Sequence, residues 1–219
     1  MLKIKFLSVA LCTLFLMSCT AELKVRINPT PQKIEMAKCG SLNIAEGFIV
    51  EGDSEAVAQS LLHLNITANG VPTTFMIDEA IAQTDSALGK SGAYILDINK
   101  EGVFVSAYDE RGAFYAIQTL KQLAVENEIP YMTITDYPDM PYRGVVEGFY
   151  GTPWSHETRV SLLDFYGKFK MNSYLYGPKD DPYHSSPYWR LPYPEEEAQK
   201  IKDLVAASNR NYVDFIWAI

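Results

Sequence analysis

Tyr150-Gly-Thr-Pro-Trp154 and Lys179-Asp-Asp-Pro-Tyr183 are the places where glycine, aromatic rings, carboxylates and an amine crowd together. Each follows a short apolar run, so each reads as the loop beyond the end of a strand. Aromatic platforms joined to a few charged groups suit a sugar. A sugar has apolar C–H faces and hydroxyl edges, and its site must answer both. The rings of this chain, with 14 Tyr in all, concentrate between Tyr142 and Trp189, in loops rich in Gly and Pro. Residues in such loops have little core to pack against, which favours a binding role over a packing one.

Those loops need elements to hold them. From Tyr142 the pattern alternates strand, helix, strand, helix, strand. Val145 to Phe149 is the first strand. Ser155 caps a helix with Glu157 in its first turn, and Leu162, Phe165, Tyr166 and Phe169 form its expected buried side. Ser173 to Tyr176 is the second strand. Pro194 and Glu195 to Glu197 open the next helix, with Ile201, Leu204, Val205 and Ser208 facing inward. Val213 to Ile219 is the third strand. Parallel strands whose far ends carry polar, ring-bearing loops are the arrangement of a (β/α)8 barrel, whose active sites lie at that face. Eight strands need about 200 residues or more. The run 141–219 is therefore expected to be the start of an incomplete barrel, and the chain the N-terminal part of a longer protein.

Residues 20–139 read as a smaller α/β unit. Tyr94 to Ile98 and Val103 to Ala107 predict a hairpin turned by Asn99-Lys-Glu-Gly102. Asp109 to Ala124 predicts a helix with Phe114, Ile117, Leu120, Leu123 and Ala124 on one face. A further helix is expected from Ser54 to Leu64, and a closing strand from Met132 to Thr135. Asp136 to Pro141, with two prolines, marks the boundary.

Residues 1–18 read as a signal peptide: Lys3 and Lys5 precede an apolar run, Phe6 to Met17, that is short for a bilayer span. Leu16-Met-Ser-Cys19 is similar to a bacterial lipobox, with Cys19 as the lipidated first residue of the mature protein. Simple cleavage is the alternative, because Met17 is unusual at its position. The expected location is accordingly the outer membrane or periplasm of a bacterium, with a lipid anchor as the sole link to the membrane. Cys12 leaves with the signal and Cys39 has no partner, which excludes a disulfide framework and a zinc cluster. A formal charge of -8 argues against a nucleic-acid partner.

Arg143 to Trp154, Met171 to His184, Trp189 to Pro194 and Val213 to Ile219 together strongly resemble glycoside hydrolase family 84, the bacterial relatives of O-GlcNAcase, including hyaluronidase-like β-N-acetylglucosaminidases. Asn28-Pro-Thr-Pro-Gln32 and the Asp109 to Leu120 helix resemble the accessory α+β domain that precedes the barrel in hexosaminidases. The resemblance implies hydrolysis of terminal β-linked N-acetylglucosamine, with glycans or glycoconjugates as partners and with no metal or organic cofactor. It implies a substrate-assisted retaining mechanism, in which the 2-acetamido oxygen attacks the anomeric carbon and an adjacent Asp pair does the acid–base work.

In that family the Asp pair follows a fourth strand, so no catalytic residue is assigned within this chain and the chain alone is expected to be inactive. Asp180-Asp181 follows the second strand and is expected to shape its loop. By resemblance, Gly148 offers its carbonyl to a sugar hydroxyl, where a side chain would obstruct approach. Lys179 donates to the hydroxyls of the non-reducing sugar with a compact three-donor ammonium. Tyr150 and Tyr176 are expected to line the pocket or to pack the barrel. The plainer readings are a glycine tolerated at a strand end and a solvated loop lysine. A different class of function stays open: a non-catalytic carbohydrate-binding surface lipoprotein.

Overall fold

A computed structural model describes residues 26–50, 63–148, 151–179, 181–184 and 187–218. The first part of the chain forms a six-stranded sheet from β1 (Lys33–Asn43), β2 (Phe48–Val50), β3 (Val71–Ile77), β4 (Tyr94–Asn99), β5 (Gly102–Ala107) and β6 (Glu128–Asp136). Their order across the sheet is β1-β6-β4-β5-β3-β2. The predicted hairpin is present: β4 and β5 pair antiparallel from Tyr94 opposite Ala107 to Asn99 opposite Gly102. The closing strand is longer than its apolar centre indicated, because β6 pairs on both sides, with β1 and with β4. The helix α1 (Glu110–Leu123) covers this sheet. Its cap is Asp109, whose carboxylate accepts from Gly112 N at 2.8 Å and so satisfies one of the exposed amides of the first turn. Phe114, Ile117, Leu120 and Leu123 are buried as the spacing predicts. The helix expected at Ser54 to Leu64 falls outside the described residues except for its last two positions.

The second part is a three-stranded parallel sheet of β7 (Gly144–Glu147), β8 (Ser173–Tyr176) and β9 (Asp214–Trp217), in that order. Helix α2 (His156–Lys168) links β7 to β8, and α3 (Glu195–Arg210) links β8 to β9. The outcome is two successive βαβ units, the alternation read from the sequence. Ser155 caps α2, accepting from Thr158 N at 3.2 Å. Val145, Tyr174, Tyr176 and Phe215 pack with Leu163, Tyr166, Leu204 and Ala207 of the helices. Two inward faces differ from expectation. Phe165 is 48% exposed and Val205 is 37% exposed, whereas Leu163, Gly167 and Ala207 are buried. Apolar residues occur on both sides of these helices, so periodicity alone leaves the buried stripe undetermined. The sheet beneath and the neighbouring helix select it.

Asp136, at the start of the expected boundary, ends β6 and sits in a buried polar cluster that joins the two sheets. Lys170 Nζ donates to Asp136 Oδ2 at 2.7 Å and to Tyr94 OH at 2.8 Å. The Tyr94 hydroxyl also lies 2.6 Å from Thr119 Oγ1. Arg143 Nε and Nη2 donate to the carbonyl of Lys170 at 3.0 and 2.9 Å, and Nη2 to Tyr115 OH at 3.2 Å. Burial holds the Lys170 amine below its ordinary range, against the pull of Asp136.

Candidate active site

The three parallel strands end level. Glu147 stands opposite Tyr176, and Tyr176 opposite Trp217. Beyond them Gly177 N donates to Glu147 O at 2.9 Å and Ala218 N to Tyr176 O at 3.0 Å. The next residues across the ends are therefore small ones: Gly148, Gly177 and Ala218. Among the described residues, a Cβ placed on Gly148 would meet Val146 Cγ1 at 3.3 Å and Gly177 O at 4.0 Å. The chain's own packing thus demands little of this glycine. The contrast is Gly144 at the start of β7, where a Cβ would lie 1.7 Å from Ser173 O. That glycine is required by strand pairing. Lys179 lies two residues past Gly177 and is exposed. The strand register thus brings Gly148 and the root of the Lys179 loop side by side. Tyr150 and Cys19 lie outside the described residues.

Directly beneath Gly148 is a group that the sequence reading did not single out. Glu147 is fully buried. Its carboxylate takes both arms of Arg159, at 2.8 and 3.0 Å, the hydroxyl of Tyr174, and Trp154 N at 3.3 Å. A buried carboxylate is tolerated only when its oxygens are paired in this way. Arg159 also stacks 4.9 Å from the Tyr176 ring centroid. Burial alone would weaken its hold on the proton. The hydrogen bonds to Glu147 and the nearby tyrosines outweigh that and raise its pKa. The available signal was a lone Glu inside the apolar run Val145-Val-Glu, with an Arg one turn into the following helix. The cluster clamps α2 to the end of β7 and carries no free acid for chemistry.

The loop after β8 is knotted by Asp181. Its Oδ2 accepts from Tyr176 OH at 2.6 Å and Tyr193 OH at 2.9 Å. Its Oδ1 accepts from Tyr183 N at 2.9 Å and His184 N at 3.2 Å. Loop shaping, expected for Asp180-Asp181, is thus what Asp181 does, while Asp180 lies outside the described residues. Burial and then the bond to Asp181 push the hydroxyls of Tyr176 and Tyr193 above their ordinary range, so both remain donors. His184 reaches across to β9, with Nε2 2.6 Å from Ala218 O and its ring 5.4 Å from Trp217.

A cavity of about 400 Å³ lies on the helix side of these strand ends, lined by Trp154, Arg159, Tyr176, Asp181 and Tyr193 among others. Neither Gly148 nor Lys179 lines it. Gly148 falls, by the alternation along β7, on the opposite face. That face carries Val146, 62% exposed, and Ile216, 39% exposed.

Comparison with known proteins places this arrangement. Residues 24–137 match the family model of glycosyl hydrolase family 20, domain 2, and residues 143–219 match that of beta-N-acetylglucosaminidase. The chain is 46% identical to the protein O-GlcNAcase of Rattus norvegicus over 76 residues, 35% of this chain and 8% of that protein. It is 29% identical to the N,N'-diacetylchitobiase of Vibrio harveyi over 183 residues, 80% of this chain and 20% of that one. The solved structure of CpGH84B superposes with a TM-score of 0.74 at 31% identity, over 89% of this chain and 37% of the other. The β-N-acetylhexosaminidase of Bacteroides fragilis, at 19% identity and a TM-score of 0.65, shares the fold alone. Both halves of the chain are thus segments of glycoside hydrolases. Residues 24–137, more than half of the chain, belong to the domain 2 family of glycosyl hydrolase family 20, and with the βαβαβ segment that follows the chain is similar to the N-terminal part of family 84 glycoside hydrolases. It spans less than half the length of each of these relatives.

Proposed function

We propose that this chain is the N-terminal part of an exported glycosidase that removes terminal β-linked N-acetylglucosamine with retention, the substrate's 2-acetamido group acting as nucleophile. In this reading residues 20–139 form the accessory domain. Residues 141–219 begin a (β/α)8 barrel, whose interior takes the exposed face of Val146 and Ile216. Gly148, Lys179 and Tyr150 bind the sugar, and Cys19 carries a lipid anchor to the outer or periplasmic membrane surface. An acid–base Asp pair beyond β9 completes the enzyme. Intramolecular attack by the acetamido oxygen removes much of the entropic cost of the step.

The observation that carries the reading is the alignment of strand ends that sets Gly148 beside the root of the Lys179 loop. Around it, two carboxylates among the described residues are engaged within the fold. Glu147 is committed to Arg159 and Tyr174, and Asp181 to Tyr176, Tyr193 and two backbone amides. The chain of 219 residues alone should therefore leave an aryl β-N-acetylglucosaminide intact, while an enzyme extending through a following Asp pair cleaves it. Turnover by the purified 219-residue chain would overturn the assignment of roles and force another acid, such as Asp180, into the chemistry.

A further inference from the structure

At the opposite end of the parallel strands lies a cleft of about 430 Å³, bounded by α1, by the last turns of α2 and α3, and by His63. One β8-length away from Gly148 is about 13 Å, at ~3.3 Å for each of four residues, so the cleft is remote from the sugar-binding end. Three cations line it, Lys121, Lys168 and Arg210, against one carboxylate, Asp164, which already accepts from Asn211 Nδ2 at 2.8 Å. That local excess of positive charge stands out in a chain with a net charge of -8. The bases occupy final helical turns, where they offset the helix dipoles, and this alone accounts for their presence.

It does not account for Gln118. This residue is 2% exposed and lines the same cleft, yet its Nε2 has no hydrogen-bond partner. Buried amide donors in folded proteins are almost always paired, so an acceptor is missing from this position. Beside it Phe165, 48% exposed, supplies an apolar wall. We propose that this cleft binds the oxyanion group of a small molecule, a carboxylate or a phosphate, held by Lys121, Lys168 and Arg210, with Gln118 Nε2 donating to it. His63 reports the local field. Burial and then Lys121 lower its pKa, and Asp164 opposes them.

The test is an NMR titration of the ¹⁵N-labelled chain with inorganic phosphate and, separately, with benzoate. Sodium chloride at matched ionic strength is the reference. Saturable shifts of the Gln118 side-chain amide and of the Lys121 and Arg210 amides are expected with at least one probe. The tighter probe identifies the oxyanion, and Phe165→Ser should weaken benzoate while sparing phosphate. A bound anion adds negative charge beside His63, so its pKa should rise on binding. Lys121→Gln, an exposed change, should weaken binding about fivefold. Gln118→Met should stabilise the free chain by removing the unpaired donor and should weaken the anion, a pairing of effects that a packing role would not give. Shifts that chloride reproduces, or that Lys121→Gln and Arg210→Gln leave unchanged, would overturn the proposal. No sugar enters these measurements, so their failure is distinct from failure of the glycosidase reading.

Discussion

Lys179 and Asp181 sit two positions apart in the loop after β8. Asp181 has both oxygens engaged by its own loop, whereas the Lys179 side chain is exposed at the strand ends. If Lys179 donates to sugar hydroxyls, Lys179→Ala in an enzyme containing this chain leaves one or two of those hydroxyls unpaired. The expected loss of inhibitor affinity is about 1–3 kcal/mol. The pH–rate profile should keep its position, because Lys179 binds and does not transfer the proton. Unchanged affinity would remove Lys179 from the site, and a shifted profile would recast it as a group that tunes the catalytic carboxyls.

At the scale of the element, β7 begins at one glycine and is followed by another, Gly144 and Gly148, with opposite requirements. Gly144→Ala drives a Cβ into the carbonyl of Ser173 and should break the β7–β8 pairing, seen as loss of cooperative thermal unfolding or of soluble protein. Among the described residues Gly148→Ala meets no atom nearer than Val146 Cγ1 at 3.3 Å, so the chain should fold with a melting temperature near wild type. If Gly148 offers its carbonyl to a sugar hydroxyl as proposed, the same change in the full enzyme should weaken ligand binding, because the added methyl would obstruct that approach. Equal damage to folding from the two changes would show that Gly148 is structural. Between them sits Glu147. Glu147→Ala leaves Arg159, whose side chain is only 11% exposed, without its carboxylate. Removing one member of a buried pair costs about 3–5 kcal/mol, which chemical denaturation of the variant would report.

For the whole molecule, tyrosines set the alkaline limit. Burial raises the hydroxyls of Tyr94, Tyr174 and Tyr176, with further raising from the carboxylates of Asp136, Glu147 and Asp181. A raised phenol stays protonated in the fold while it ionises in the unfolded chain. Stability from these groups is therefore fully present below the ordinary tyrosine pKa of about 10 and is lost as pH rises above it. Each should steepen the fall by up to about 1.4 kcal/mol per pH unit. Urea midpoints measured across this range should drop, and Tyr176→Phe should flatten the drop. A midpoint that is flat above pH 10 would contradict the burial of these hydroxyls. Lys170 contributes with opposite sign. Its lowered amine makes the unfolded chain bind more protons just below the ordinary lysine range, so stability from this group rises with pH there.

The sequence by itself determined the alternation of strands and helices after Tyr142, the caps at Asp109 and Ser155, the hairpin at Asn99 to Gly102, and the family. Each of these is a local signal: a period, a cap or turn residue, or a long motif. The loop-shaping role of Asp181 was legible too, from its place beside Lys179 and Pro182. Only the tertiary structure decided which helical stripe is buried, as Phe165 and Val205 show, because both faces of those helices carry apolar residues. It alone paired Glu147 with Arg159 and Tyr174. It also brought Asp136, at the expected boundary, into a cluster with Lys170 and Tyr94. These groups are far apart in sequence and each reads as an ordinary polar residue. Their charges are tolerated inside the protein only because the fold delivers a partner to each.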